Sequence, residues 1–353
     1  MGMPSISISF TEIAATAVKR GERGIIAMII KDDVPDVNPV VCNSAADVPT
    51  TLSEKTQEQI KLALKGYVNA PSKVIAYIIP KVAENYIDAL NYLKTVKFDY
   101  LVAPSVTTDG QEDVIVSYVK TERAENKLIK AVLPNTPGDT EGIINYTTEN
   151  VYVNDKTYTT EEYCSRIAGI IAGTPITISC TYAPLAELTD CSRLTKAQMD
   201  KAVDDGELIV WWDGEKVKTA RGVNSLKTLT QGKNTQFQKI KIVDTMDMIA
   251  NDIRMTAEDN YLGKYANSYD NKCLLLSAIG NYFDQLVAQN VLSNYTIEID
   301  IDANRSYLKG KGKDVEAMSD DDIKVANTGS SVFLKATLSI LDAIEDIVLP
   351  ITI

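Results

Sequence analysis

In the first half of this chain, short apolar segments alternate with amphipathic ones, and this pattern restricts the fold more than any other feature. The apolar runs at 74–79, 98–103 and 128–133 have the length and composition of buried strands, and a proline follows each of them. The segments between them, 83–95 and 112–126, carry their apolar residues along one helical stripe. Strands that alternate with helices predict a parallel sheet with right-handed crossovers. The predicted fold class is therefore α/β, and α+β when the whole chain is considered.

The rest of the chain predicts further elements and a change of character in its last third. A hairpin is predicted within 143–160, with its turn at Asn154-Asp155, and the segment 305–330 is polar without a predicted element. Further strands are predicted at 25–30, 175–182, 207–212, 217–220, 296–302 and 334–340, and further helices near 54–67, 161–172, 195–204, 245–258 and 271–289. A smaller helix-and-sheet domain is thus expected after the α/β part.

The composition excludes several classes of function. A chain of 353 residues can form one large or two medium domains. Its 48 acidic against 36 basic residues give a net charge of −12, which argues against binding the phosphate backbone of a nucleic acid. There is no histidine, so the chain cannot form a Ser-His or Cys-His nucleophile pair or a His-ligated metal site. The five cysteines include no C-x-x-C pair and predict neither a disulfide framework nor a zinc cluster.

No segment predicts export, membrane insertion or a cation site. The apolar run at 25–30 is too short to span a membrane and follows a charged stretch. Asp300 and Asp302 imitate the start of a calcium loop, but Arg305 and Lys311 occupy the positions that need glycine and glutamate. We therefore expect a soluble protein made in a reducing cytoplasm, without a metal or cofactor.

Two loops offer a location for an enzyme site. The loops 104–110 and 134–139 follow predicted parallel strands, where an α/β enzyme places its catalytic groups, and they contain hydroxyl, amide and carboxylate side chains. These residue types also make ordinary turns. No dinucleotide-binding, phosphate-loop or nucleophile-elbow motif occurs in the chain. A cytosolic α/β enzyme that uses these loops is therefore an alternative prediction, and no catalytic residue is assigned.

Both ends of the chain show the period-two alternation of a β-strand. The N-terminal segment consists of Ser5, Ile6, Ser7, Ile8, Ser9 and Phe10, and the C-terminal segment carries Ile344, Ile347, Val348, Leu349, Ile351 and Ile353. Chain termini are usually poorly ordered unless something holds them, and an apolar strand that runs to the last residue needs a sheet to join. We predict that both segments pair with strands of neighbouring copies. The alternative is that each arm folds onto its own domain.

Several segments spread over nearly the whole chain resemble contractile tail sheath proteins. They are the opening Met3-Pro4-Ser5-Ile6-Ser7-Ile8-Ser9-Phe10 with the turn 19–24 and strand 25–30, Ala183-Pro184-Leu185, the helix 195–204 with Gly206-Glu207-Leu208, Arg221-Gly222-Val223-Asn224-Ser225-Leu226, Asn251-Asp252-Ile253-Arg254, Tyr261-Leu262-Gly263-Lys264, the helix 271–289, and the ending 332–346. The compact length is similar to the sheaths of Gram-positive prophages and R-type bacteriocins, including diffocin-like particles.

The resemblance implies a mechanical function. Sheath subunits of this family stack as rings around a rigid tail tube, and a baseplate signal triggers a contraction that drives the tube through a target envelope. The implied partners are neighbouring sheath subunits, the tail tube protein, and baseplate and tail terminator proteins, with no nucleic acid and no membrane contact by the subunit. Assembly is expected in the bacterial cytoplasm, and the final location is a virion tail or a released bacteriocin particle.

The resemblance also implies a division of the chain. It gives an N-terminal β-arm at 1–23, an outer α/β domain at 24–235, an inner tube-facing domain at 236–331, and a C-terminal strand and β-arm at 332–353. Within the inner domain, the candidate tube-docking residues are Lys264, Lys272, Arg305 and Lys309. Another strand-exchanging assembly protein, such as a shell subunit, is a third hypothesis, which closed rather than tubular assemblies would favour.

Overall fold

A mostly parallel sheet is the largest element of the computed structural model, which describes residues 17–352. The strands are β1 (Ile25–Asp32), β2 (Val40–Cys42), β3 (Lys73–Pro80), β4 (Tyr100–Val102), β5 (Lys130–Pro134), β6 (Ile143–Tyr146), β7 (Asn150–Val153), β8 (Lys156–Thr159), β9 (Asp190–Cys191), β10 (Glu207–Leu208), β11 (Val210–Trp212), β12 (Val217–Thr219), β13 (Leu292–Ile299) and β14 (Leu334–Ile340). The α-helices are α1 (Glu54–Leu64), α2 (Ile87–Leu93), α3 (Glu112–Ala124), α4 (Thr160–Ala172), α5 (Lys196–Asp204), α6 (Ile240–Asn260), α7 (Tyr269–Ala288), α8 (Ile301–Gly310) and α9 (Asp320–Val325).

The main sheet has the strand order β10-β6-β5-β4-β1-β3-β2. All neighbouring strands are parallel except β2, which runs antiparallel to β3 at one edge. The strands and helices predicted between residues 73 and 134 are present in the expected order, as β3, α2, β4, α3 and β5. The predicted α/β class is therefore confirmed.

Helices cover both faces of the main sheet, which explains why β1 is apolar along almost its whole length. Ile26 and Met28 pack on one face with residues of α1 and α4, whereas Ala27 and Ile29 pack on the other with residues of α2 and α3. A strand that is buried on both faces has no polar side to present. Helices α1 and α4 approach so closely that a Cβ atom added at Gly169 would lie 2.2 Å from the carbonyl oxygen of Ala63.

The described residues form two compact units. The α/β unit comprises residues 22–248 together with 342–352, and the C-terminal unit comprises residues 249–341 together with 17–21. In the C-terminal unit, β13 and β14 form an antiparallel ribbon that packs on α7. The Tyr295 hydroxyl donates a hydrogen bond to the carbonyl oxygen of Gly280 at 3.0 Å, and the rings of Tyr295 and Phe283 lie 5.1 Å apart.

Two predicted strands are wrong or misplaced. Residues 175–182 form turns, and Tyr182 adopts a left-handed φ of 56° that a strand cannot contain. The Thr219 hydroxyl holds these turns in place, because it donates a hydrogen bond to the Cys180 carbonyl and accepts one from the N–H of Ala183 at 2.9 Å. The strand predicted at 296–302 ends at Ile299, because the Asp300 carboxylate accepts from the Ala303 N–H at 2.8 Å and caps α8.

Two further differences concern the C-terminal third. The polar segment 305–330 is partly helical, since it contains most of α8 and all of α9. The side chains of Leu308, Val315 and Ile323 form a small core beneath these two helices. Residues 341–352 contain no strand, whereas the sequence predicted one at this end. Leu341 still donates its N–H to the Val291 carbonyl at 2.9 Å, but after it no strand in residues 17–352 pairs with this segment, and a strand needs a partner.

Candidate assembly surfaces

The C-terminal segment 347–352, which we call the tail, is an exposed run of apolar residues. Its large apolar side chains, together with that of Ile344 just before it, are between 75% and 90% exposed. They are Ile344, Ile347, Val348, Leu349 and Ile351. Scattered apolar residues on a surface need no explanation, but a contiguous set of this kind marks an interaction site. Ile353, also predicted in this arm, lies outside the described residues.

The segment just before the tail, 342–346, is held on the α/β unit by ion pairs. We call it the tail root. Lys239 Nζ lies 2.9 Å from a Glu345 carboxylate oxygen and also contacts the Asp342 carboxylate. Arg221 Nη2 donates to Asp346 at 2.6 Å. The Glu345 side chain is only 5% exposed, so it is the buried centre of this cluster.

The charges of the tail root shift the pKa of their partners. The Asp346 hydrogen bond raises the pKa of the Arg221 guanidinium, and the same contact lowers the pKa of Asp346. Burial by itself lowers the pKa of Lys239, but the hydrogen bonds that its ammonium group donates to Asp342 and Glu345 outweigh it, so the pKa is raised. Each of these shifts favours the charged form of the group concerned.

The β13–β14 ribbon is the second candidate surface. Seven residue pairs connect the two strands, from Leu292–Ile340 to Ile299–Leu334. Exposed residues occupy much of both strands, and the outer edges of β13 and β14 bond to no other strand in residues 17–352. A two-stranded ribbon is marginally stable alone, and its free edges can accept another strand.

The N-terminal arm predicted at residues 5–10 lies outside the described residues, but the segment that follows it is anchored. The N–H of Gly21 donates to a carboxylate oxygen of Asp252 at 2.9 Å, and the Tyr282 hydroxyl donates to the other oxygen at 2.8 Å. The side chain of Val18 is buried. The chain therefore enters the C-terminal unit at a fixed point.

The four candidate tube-docking residues all lie in the C-terminal unit but differ in exposure. Lys264 is exposed, and Lys309 is exposed with Glu316 at 3.9 Å. Arg305 is half-buried and pairs with Asp320 at 2.7 Å. Lys272 is buried and donates to the Ala326 carbonyl at 3.3 Å, and burial lowers its pKa. The structure thus leaves three of the four cations accessible in the single chain.

The two loops considered for catalysis are held by structural hydrogen bonds. Asp109 accepts from Tyr86 at 2.6 Å and pairs with Lys31 at 2.6 Å. Asp139 accepts from the backbone N–H groups of Lys227 and Thr228 at 2.7 and 2.8 Å. Both carboxylates therefore fix neighbouring chain segments.

The part of the chain that the structure covers contains neither a metal-site cluster nor a helix that could cross a membrane. No cluster of three or more His, Cys, Asp or Glu side chains in it has the arrangement of a metal site. Within the same residues, no helix has both the length and the apolar character needed to cross a membrane.

The sequence did not predict the ion pairs of the tail root. The acidic residues Asp342, Glu345 and Asp346 immediately precede an uncharged apolar run, and this abrupt change is a signal that the sequence contains. The partners Arg221 and Lys239 give no such signal, because only the fold brings them to the root.

Two family models of phage tail sheath proteins match most of the chain. Residues 81–225 match the phage tail sheath protein central domain, and residues 232–353 match the phage tail sheath C-terminal domain. A tail sheath protein of Clostridium phage phiCD119 is 40% identical over 98% of both chains. A sheath tail protein from Desulfitobacterium hafniense has a similar fold, with a TM-score of 0.71 at 20% identity over 84% of this chain and 94% of that one.

The helical sheath of the anti-feeding prophage in its contracted state shares the fold as well. Its TM-score is 0.71 at 14% identity, over 100% of this chain and 99% of that one. The comparisons do not support the alternative of an α/β enzyme, since these relatives are tail sheath proteins. The domain matches and the full-length similarity to the Clostridium phage protein show that this chain belongs to the phage tail sheath protein family.

Proposed function

We propose that this sheath protein polymerises as stacked rings around a tail tube and contracts to drive the tube through a target envelope, with its terminal arms joining neighbouring subunits by strand addition. The observation that carries the proposal is the pairing of two features in one chain. Among residues 17–352, the tail exposes an apolar segment that pairs with no strand, and the outer edges of the β13–β14 ribbon bond to no further strand. Each feature supplies what the other lacks.

The energetics favour joining over a free tail only when a sheet edge is available. Covering the five large apolar side chains at 344–351 yields about 7–15 kcal/mol before other terms, at roughly 1.5–3 kcal/mol each. Ordering eight residues costs about 8–16 kcal/mol, at roughly 1–2 kcal/mol each. These two terms nearly cancel. Backbone hydrogen bonds to a preformed edge add about 0.5–1.5 kcal/mol each and make pairing favourable.

The proposal assigns roles to the parts of the chain. Residues 1–23 and 332–353 contain the linking arms, 24–235 the outer domain and 236–331 the inner, tube-facing domain. Strand pairing depends on the backbone, so it persists while contacts between subunit bodies change during contraction. Lys264, Arg305 and Lys309 are the proposed tube contacts, since their charges are accessible and Lys272 is buried. The baseplate and tail terminator proteins are the other proposed partners.

The proposal also covers where the protein assembles, and it assigns the protein no catalytic activity. We expect subunits to assemble in the bacterial cytoplasm and to leave it as part of a phage tail or a headless particle. No catalytic role is proposed for any residue. The Asp109 and Asp139 carboxylates, which an enzyme would use, already bond to neighbouring segments.

Electron microscopy of the purified chain, alone and with a co-expressed tube protein, tests the proposal. The intact chain should give hollow striated tubes or sleeves. Deleting residues 347–353 should leave a folded monomer, with unchanged far-UV circular dichroism, that forms none. Normal tubes from the deletion variant would contradict the role of the tail.

A pair of double variants separates strand pairing from simple apolar contact. Val348→Pro with Leu349→Pro removes two adjacent N–H donors, one of which must face any pairing strand. Val348→Ala with Leu349→Ala removes more apolar area than the proline pair does and keeps both donors. We expect the proline variant to lose assembly and the alanine variant to keep part of it. Equal loss in both would show that the tail binds through its side chains alone.

A further inference from the structure

We propose that Arg221 and Lys239 form a clamp on the tail root that fixes where, and in which direction, the tail leaves the α/β unit. The inference rests on the proposed function, because direction matters only if the tail links two subunits. Arg221 and Lys239 are positioning residues: they contact the root at 342–346 and no residue of the tail at 347–352.

The clamp is built on a rigid backbone platform. Arg221 precedes Gly222, whose carbonyl accepts from the Ile240 N–H at 3.0 Å, and Ile240 follows Lys239. Val223 and Lys239 also form an isolated β-bridge. The two cations therefore come from chain segments that are bonded to each other, so their spacing is fixed before the root binds.

The root contributes three carboxylates with unequal burial. Glu345 is the central one: its two oxygens contact Lys239 Nζ at 2.9 Å and the Thr181 hydroxyl at 2.5 Å, and Arg221 Nε lies 3.7 Å away. Asp342 and Asp346 flank it, and the Asp346 side chain is 75% exposed. A carboxylate buried beside two cations resists displacement more than an exposed ion pair does.

The charges stop abruptly at Asp346. The residues after it are Ile347-Val348-Leu349-Pro350-Ile351-Thr352-Ile353, with no charged side chain. The root thus has electrostatic partners on its own chain, whereas the tail has only apolar groups and its backbone to offer. This separation lets the chain hold the tail at its base and leave the rest free to pair.

A fixed base reduces the entropy that a linking tail loses when it pairs with another copy. Freeing the root returns conformational freedom to residues that must then be ordered again in each joining event. We therefore expect loss of the clamp to raise the critical concentration for assembly about tenfold. Added salt should also raise the critical concentration, because it screens the exposed ion pairs.

Spin-label spectroscopy of the monomer tests the clamp without assembly. The label is attached to Leu349→Cys in a Cys273→Ser background, since the other four cysteines are buried. Glu345→Gln is the test variant. Glu215→Gln, at an exposed turn of the same unit, is the matched control. We expect a narrower, more mobile spectrum for Glu345→Gln alone, under conditions in which tryptophan fluorescence shows both variants to be fully folded.

Assembly of the same variants, followed by light scattering and electron microscopy, gives the second readout. The critical concentration should rise about tenfold for Glu345→Gln and for Arg221→Glu, and Arg221→Glu combined with Asp346→Arg should recover part of the loss by reversing the pair. Equal label mobility and equal critical concentration in Glu345→Gln and Glu215→Gln would overturn the clamp. Tubes formed by the 347–353 deletion would overturn the proposed linking role of the tail instead, while the label mobility would still decide the clamp.

Discussion

Replacing Asp247 with asparagine is expected to destabilise the α/β unit more than any single surface change. Asp247, in α6, pairs with Lys130 at 2.7 Å and with Arg123 at 2.9 Å, and its side chain is 8% exposed. Asparagine has the same shape but no charge. Lys130 would then retain only Asp244 at 3.2 Å, and Arg123 would retain Glu141 at 3.7 Å. Two largely buried cations would lose their nearest anion.

Removing one partner of a buried ion pair costs about 3–5 kcal/mol, because the remaining charge stays desolvated. With a urea dependence of about 3 kcal/mol/M, the midpoint of unfolding should fall by about 1–1.7 M. The chain has two tryptophans, Trp211 and Trp212, and both lie in the α/β unit. Tryptophan fluorescence therefore reports the unfolding of this unit.

The matched control is Asp200→Asn, which makes the same chemical change at an exposed pair. Asp200 lies 2.9 Å from Lys196, but the two side chains are 60% and 83% exposed. An exposed helix pair of this kind contributes little to stability, because water screens it. If Asp247→Asn shifts the urea midpoint no further than Asp200→Asn does, then the buried ion pairs of Asp247 do not stabilise the α/β unit.

The pH dependence of stability gives the same prediction a second check. Burial by itself raises the pKa of Asp247, but the charges of Lys130 and Arg123 outweigh it and hold the pKa below its ordinary value. A carboxyl with a lowered pKa in the folded state contributes stability that is present above its ordinary pKa, near 3.9, and that is lost as the pH falls through the folded value. The difference in the free energy of unfolding between wild type and Asp247→Asn should therefore be constant near neutral pH and become smaller in acid.

Two other predictions follow from packing and from burial. Gly169→Ala should destabilise the α/β unit by more than about 2 kcal/mol in thermal unfolding, because the added Cβ would lie 2.2 Å from the Ala63 carbonyl oxygen. In the control Gly280→Ala, the added Cβ has its nearest contact at 3.6 Å, so this variant should be neutral or more stable by up to about 1 kcal/mol. Equal effects of the two substitutions would refute the close approach of α1 and α4. In the folded protein at pH 8, a thiol reagent should label Cys273 first, because the other four cysteines are buried. Burial also raises the pKa of these four thiols, to about 11 for Cys42 and Cys191 and to about 12 for Cys180. Mass spectrometry that finds another cysteine labelled first would contradict this prediction.

Short sequence patterns correctly predicted those helices and strands that depend mainly on neighbouring residues. The continuous apolar run at 25–30 predicted a strand, and β1 is buried on both faces, as such a run requires. A helix was predicted near 195–204, and the Thr195 hydroxyl at its start accepts from the Gln198 N–H in α5. These signals lie within a few residues of the elements that they specify.

The errors arose where distant residues decide the local structure. Ile176, Ile178 and Cys180 alternate as in a strand, but Thr219 supplies hydrogen bonds that favour turns there. Ile301 is in phase with the residues of β13, yet Asp300 acts as a cap and turns the chain into α8. The ion pairs of the tail root join residues more than 100 positions apart, so no local pattern could show them.

The lengths of the sheet edges have a consequence for which encounters between copies can last. The main sheet ends in β2, with three residues, and β10, with two, so a passing strand finds about 7–10 Å of edge there. The β13–β14 ribbon presents seven or eight residues, or about 23–27 Å. Hydrogen bonds accumulate with length, so if copies join by strand addition, as proposed, we expect encounters at the main sheet to break sooner than those at the ribbon. Residence time alone would then direct crowded subunits toward one kind of junction.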